Sequence, residues 1–129
     1  MADQGMDTTK VKQAMLAYAE WLGEQAAPQL KMAVPNLKDD PESAARLIAF
    51  SWVLHDMKAT ADKNVVTVTK CLHHKYWKKN KLQDVMICKD YCEPLMNNFI
   101  VGALGPGFTL TYKQCKGEGD KICELHFTK

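Results

Sequence analysis

The chain has 129 residues, 47% of them apolar, and a formal net charge of +2, which suits one domain spanning residues 1–129 whose core needs no disulfides. The near-neutral balance excludes a strongly basic nucleic-acid binder. No apolar run approaches the ~18 residues that cross a bilayer, and the polar start Met1–Asp7 lacks a basic-then-apolar export signal, so the expectation is a cytoplasmic protein with no nucleic-acid or membrane partner and reduced cysteines.

The first element is an amphipathic helix from about Asp7 to Lys31. Val11, Met15, Tyr18, Leu22 and Ala26 recur at steps of three and four. Asp7 or Thr8 can cap it, and Pro28 ends or kinks its last turn. After a connector, Asp40-Pro41-Glu42 marks a second helix start, with Asp40 as cap and Pro41 at the first helical position. This helix should run to about Ala59. Leu47, Ile48, Phe50, Trp52, Val53, Leu54 and Met57 cover more than one face, which predicts a buried helix.

Asn64 to Cys71 is rich in β-branched residues and reads as a strand. A short basic helix follows around His73 to Asn80. Asp84 to Cys88 is a short helix or a link. Asp90 can cap a further helix with Pro94 in its first turn and an apolar stripe of Leu95, Met96, Phe99, Ile100 and Leu104, with Cys92 on that stripe. Gly105-Pro106-Gly107 stops it. Phe108 to Gln114 and Ile122 to Phe127 form a hairpin around Gly117-Glu-Gly-Asp120. The predicted fold class is α+β: two N-terminal helices and an antiparallel sheet ending in a C-terminal β-hairpin.

Five cysteines carry most of the chemical interest. The turn brings Cys115 and Cys123 to one end of the hairpin. Cys88 and Cys92 are four apart and share a face if their helix begins early. Converging thiolates bind zinc or iron, so two such pairs make a four-thiolate site. The competing reading treats free cysteine as a small buried hydrophobe, and it suits Cys92 best. A nucleophilic role is also open. Cys88 precedes a helix start, where the dipole favours a thiolate, with His55, His74 or His126 as base.

Cys71, His73 and His74 form a second cluster. In an extended stretch Cys71 and His73 share a face and His74 does not. Lys70, Lys75, Lys78, Lys79 and Lys81 accompany them, together with Tyr76 and Trp77. That stretch reads as a solvated turn whose lysine stems cover apolar surface, rather than as a phosphate-binding patch.

Three segments together resemble the L-2-amino-thiazoline-4-carboxylic acid hydrolase family. They are Val68-Thr-Lys-Cys71-Leu72, Cys88-Lys-Asp90, and Gly119-Asp-Lys-Ile-Cys123-Glu-Leu-His-Phe127. The likeness runs from about Asn64 to the C-terminus. Cys115 to Phe127 also resembles the end of the 4-vinyl reductase domain, a small-molecule-binding α+β module. Some relatives of that domain hold zinc through cysteines, with a glutamate three residues before the first of the pair. Tyr112 stands there in this chain. The resemblance implies hydrolysis of a carbon–nitrogen bond in a cyclic amidine acid, with Cys71, Cys88, Asp90 and Cys123 around one pocket.

The expected function is therefore a small-molecule hydrolase. Cys88 is nucleophile or metal ligand, Asp90 is an orienting acid, and Cys71, Cys115 and Cys123 complete a zinc or iron set. The alternative is a non-catalytic module that holds a metal or a small ligand through the same cysteines. The expected partner is a small molecule, with a homodimer as the candidate assembly.

Overall fold

The computed structural model describes residues 8–54, 56–81 and 88–129, apart from the side chains of Thr8, His73 and Cys88. Helix α1 (Thr8–Ala33) and helix α2 (Pro41–Leu54) lead into strands β1 (Lys58–Asp62) and β2 (Val65–Lys70). Helices α3 (Leu72–Lys79) and α4 (Cys88–Leu104) follow, and strands β3 (Thr109–Gln114) and β4 (Cys123–Thr128) close the fold. The four strands form one antiparallel sheet in the order β1-β2-β4-β3. This is the α+β class that the pattern predicts.

The sheet is one-sided. Val66, Val68, Leu110, Cys123, Leu125 and Phe127 turn inward and are buried, while the alternate residues Thr67, Thr111, Glu124 and His126 face outward. The inner face meets α2, and α4 packs beside it, with Trp52 edge-on to Phe99 at a ring separation of 6.3 Å. Helix α1 lies against α4 rather than against the sheet.

Helix α1 buries a face turned partly away from its periodic stripe: Leu22 and Ala26 pack at the edge of the core, and the contact centres on smaller residues. Ala19 and Ala27 are fully buried, Gly23 is buried, and Tyr18 is 53% exposed. Small residues win because the two helix backbones approach closely. A Cβ on Gly23 would stand 2.4 Å from Cβ of Asn98, and one on Gly102 would stand 2.5 Å from Cβ of Ala27. Gly102→Ala should therefore destabilise by about 1–3 kcal/mol of overpacking, offset by about 0.5–1 kcal/mol of helix propensity. Adding Ala27→Gly should recover much of the packing loss, as a double-mutant cycle of denaturant midpoints would show.

Helix α2 starts as expected. Oδ1 of Asp40 accepts from the Ser43 amide at 2.7 Å, and Oγ of Ser43 accepts from the Lys38 amide at 2.8 Å. The Ser43 amide holds the Asp40 carboxyl below its ordinary value. The helix ends at Leu54 instead of Ala59. Asp56 adopts a left-handed conformation, with φ 61°. Its amide donates to the Val53 carbonyl, and the Met57 amide donates to that of Trp52. This is a Schellman closure, and it frees Lys58–Asp62 to pair with β2 as an edge strand that periodicity did not reveal.

Helix α4 begins at Cys88, so Asp90 lies in its first turn and is not its cap. Pro94 consequently stands beyond the first turn, where it cannot donate to the Asp90 carbonyl. Gly105, with φ 99°, closes the helix by donating to the Val101 carbonyl.

Candidate functional site

Four cysteines from four parts of the chain converge beneath the end of the sheet. Cys71 follows β2, Cys92 lies on α4, Cys115 follows β3 and Cys123 opens β4. With Trp52, Val68, Lys89, Tyr112 and Leu125 they line a cavity of about 20 Å³, room for about one water molecule. Cys92, Cys115 and Cys123 are buried and Cys71 is partly exposed.

The sulfurs are held by local structure. Cys71 caps α3, its Sγ accepting from the His74 amide at 3.4 Å. The Cys123 Sγ accepts from the Lys116 amide at 3.3 Å. The thiols of Cys115 and Cys123 hydrogen-bond each other. That bond and burial push the Cys123 thiol up. Burial, followed by its thiol neighbours Cys71 and Cys115, does the same at Cys92. Lys89 reaches from α4 over the Tyr112 ring at 5.7 Å and pairs with Glu118 at 2.8 Å, tying α4 to the hairpin loop.

The loop between β3 and β4 is built on Cys115. Its carbonyl accepts from the amides of Glu118 (3.0 Å) and Asp120 (3.1 Å). Its own amide donates to Oδ2 of Asp120 at 2.8 Å. Lys116–Glu118 form one 3-10 turn, and Gly119 takes φ 99°, a conformation that favours glycine.

Next to the thiols, an open cleft of about 410 Å³ is lined by His74, Trp77, Lys78, Lys116, Gly117, Gly119 and Asp120. That size is ordinary for a small-molecule site. The backbone amides that bind the sulfurs of Cys71 and Cys123 belong to His74 and Lys116, two residues of this cleft. Trp77 is buried against Tyr91, with ring centroids 5.3 Å apart. Burial, then the charges of Lys116 and Lys78, lower the pKa of His74 below the ordinary 6.5. Its imidazole is therefore neutral at pH 7 and free to accept a proton.

The residues expected from the sequence fall in three groups. Cys71, Cys115 and Cys123 come together, and Cys92 joins them. Asp90 is exposed and is not among the residues lining either cavity. The Cys88 side chain, His55 and the Asp84–Ile87 link lie outside the described residues. His126 is on the outer face of the sheet, its Nε2 2.9 Å from Oε2 of Glu124, so it turns away from the thiols. Among the described residues no three His, Cys, Asp or Glu groups already stand at metal-binding separations. The donor chemistry of the thiol cluster nevertheless suits zinc or iron.

Sequence reasoning places Lys78 in a solvated turn, offers His74 as one of three candidate bases and gives Lys116 no role. The signal it passed over is that each basic segment directly follows a cysteine, Cys71 in one case and Cys115 in the other.

The model of the L-2-amino-thiazoline-4-carboxylic acid hydrolase family matches residues 2–127. The chain belongs to this family. The L-2-amino-thiazoline-4-carboxylic acid hydrolase match takes in the two N-terminal helices as well as the half that carries the cysteine motifs. Comparison with curated proteins and with solved structures gives no match. No described helix of this hydrolase-family chain is long and apolar enough to cross a membrane.

Proposed function

We propose that the chain hydrolyses a carbon–nitrogen bond of a small cyclic amidine acid in the cleft between α3 and the β3–β4 loop. The family description names such a compound, a ring whose amidine-type carbon is the electrophile and which bears a carboxylate. The observation that carries the reading is His74, a neutral base between two lysines with thiols behind it.

Lys78 and Lys116 attract the carboxylate, and Trp77 supplies a fixed apolar wall. His74 takes a proton from water as the water oxygen bonds to the amidine carbon. The electron pair of the breaking carbon–nitrogen bond moves onto nitrogen, which takes the proton back from the imidazolium. The test is ring opening of 2-amino-thiazoline-4-carboxylate by the purified protein, followed by absorbance and product mass. Lys116→Met should raise KM about 10-fold, about 1.4 kcal/mol, with little change in kcat, because the lost charge binds ground and transition states alike. No hydrolysis by the wild type at millimolar substrate would end the reading.

A second reading rests on the start of α4. Cys88 is the first residue of a 17-residue helix, where the dipole favours a thiolate. As nucleophile it would form a covalent intermediate at the amidine carbon, with Asp90 in the same first turn. Trapping that adduct on the Cys88 peptide would decide for this route. The non-catalytic alternative, a module holding zinc or iron through Cys71, Cys115 and Cys123 with Cys88, predicts about one equivalent of metal in protein purified without chelators.

A further inference from the structure

Cys115 and Cys123 hold a relationship that hydrolysis does not require. Gln114 pairs with Glu124 across β3 and β4. Continuing that register by one step sets Cys115 opposite Cys123. Directly opposed residues of an antiparallel pair have Cα atoms about 4.5–5.5 Å apart, inside the range a disulfide bridges, about 4.4–6.8 Å. The side chains also point at one another, since the two thiols share a hydrogen bond inside the cavity they line together.

We propose that Cys115 and Cys123 are a dithiol–disulfide site, oxidised by a small hydroperoxide and restored by a thiol reductant. Cys115, as its thiolate, attacks the peroxide oxygen. The O–O bond breaks, the distal oxygen leaves as alcohol or water, and a sulfenic acid remains. The second sulfur attacks the sulfenic sulfur, the S–S bond forms, and hydroxide leaves with the second thiol proton as water. Two thiols lose two protons and two electrons, and the hydroperoxide takes them up. Both cysteines are almost fully buried, at 2% and 7% exposure, so only small oxidants reach them.

The bond has a structural consequence. The Cys115 backbone makes the three hydrogen bonds that close the Lys116–Asp120 loop. Drawing its Sγ from hydrogen-bond range to about 2.05 Å moves the residue on which that loop is built. The Lys116, Gly117, Gly119 and Asp120 wall of the cleft moves with it. The site stands whether or not the hydrolase reading does.

The sequence makes the test unambiguous. Trypsin cleavage after lysine puts all five cysteines on separate peptides, residues 71–75, 82–89, 90–113, 114–116 and 122–129. Wild-type protein is treated with hydrogen peroxide, its remaining thiols are alkylated, and it is digested without reductant. The expected result is an intact-mass loss of about 2 Da, reversed by dithiothreitol, with peptide 114–116 linked to peptide 122–129. Tryptophan fluorescence should change with the same time course, since Trp52 lines the thiol cavity and Trp77 the cleft. Linkage of either peptide to 71–75, 82–89 or 90–113 would overturn the proposal. So would oxygen adducts without a crosslink, unchanged mass, or bound zinc that keeps both thiols reduced. Because the mapping is done on the wild type, a serine variant that fails to fold does not affect it.

Discussion

His74→Gln should lower turnover by about 10²–10⁴-fold, the usual contribution of a positioned general base, and should change KM little. Glutamine keeps the size and polarity of the side chain and loses only its capacity to take a proton. The pH profile supplies a second readout. Burial and the charges of Lys116 and Lys78 lower the His74 pKa in the folded protein, so wild-type activity should be level through neutral pH and fall in an acid limb lying below 6.5. The linkage has a defined sign. The unfolded histidine binds its proton first as pH drops through about 6.5. The part of stability that depends on a neutral His74 is thus complete above that pH and declines below it. The glutamine variant should lose both the acid limb of activity and this share of the acid destabilisation. A variant with unchanged turnover and an unchanged profile would remove His74 from the mechanism.

Phe99→Ala should destabilise the fold by about 3–5 kcal/mol, through lost transfer energy and the cavity left behind. Phe99 is fully buried, sits edge-on to Trp52, and belongs to the helix that carries both the α1 contact and Cys92. Such a loss is a large part of the ~5–15 kcal/mol total of a domain. The chemical-denaturation midpoint should fall sharply while the slope stays near the wild-type value. Val53→Ala, on the same helix as Trp52 but 52% exposed, should change stability by no more than about 0.5 kcal/mol.

The legible parts of the fold were those written locally. Asp40-Pro41 announced α2, the β-branched run from Asn64 to Cys71 announced β2 to within a residue at each end, and the glycines after Leu104 announced the end of α4. The illegible parts depended on distant partners or on unusual residues in familiar roles. Asp56 ends α2 in a conformation usually taken by glycine. Cys71 caps α3 where serine, threonine, aspartate or asparagine is expected. An extended reading of Cys71–His74 then set His74 apart from the thiol to which its amide binds. The buried face of α1 follows from small residues that only α4 makes necessary. Periodicity rewards large apolar residues and so pointed to Tyr18. Cys92 was read as core filler. It is buried as that reading requires, and it also meets three other thiols, which one stripe on one helix could not show.

The position of β4 bears on how the molecule is made. It is the last strand along the chain, yet it lies between β2 and β3. Until Cys123–Thr128 leaves the ribosome, β1 and β2 form a two-stranded hairpin that rests on α2, and β3 has no strand to pair with. The wall of thiols and the loop beside it are likewise unassembled until that moment. The α1–α4 pair and the hairpin on α2 need nothing from β4, whereas the joined sheet and the thiol wall require it.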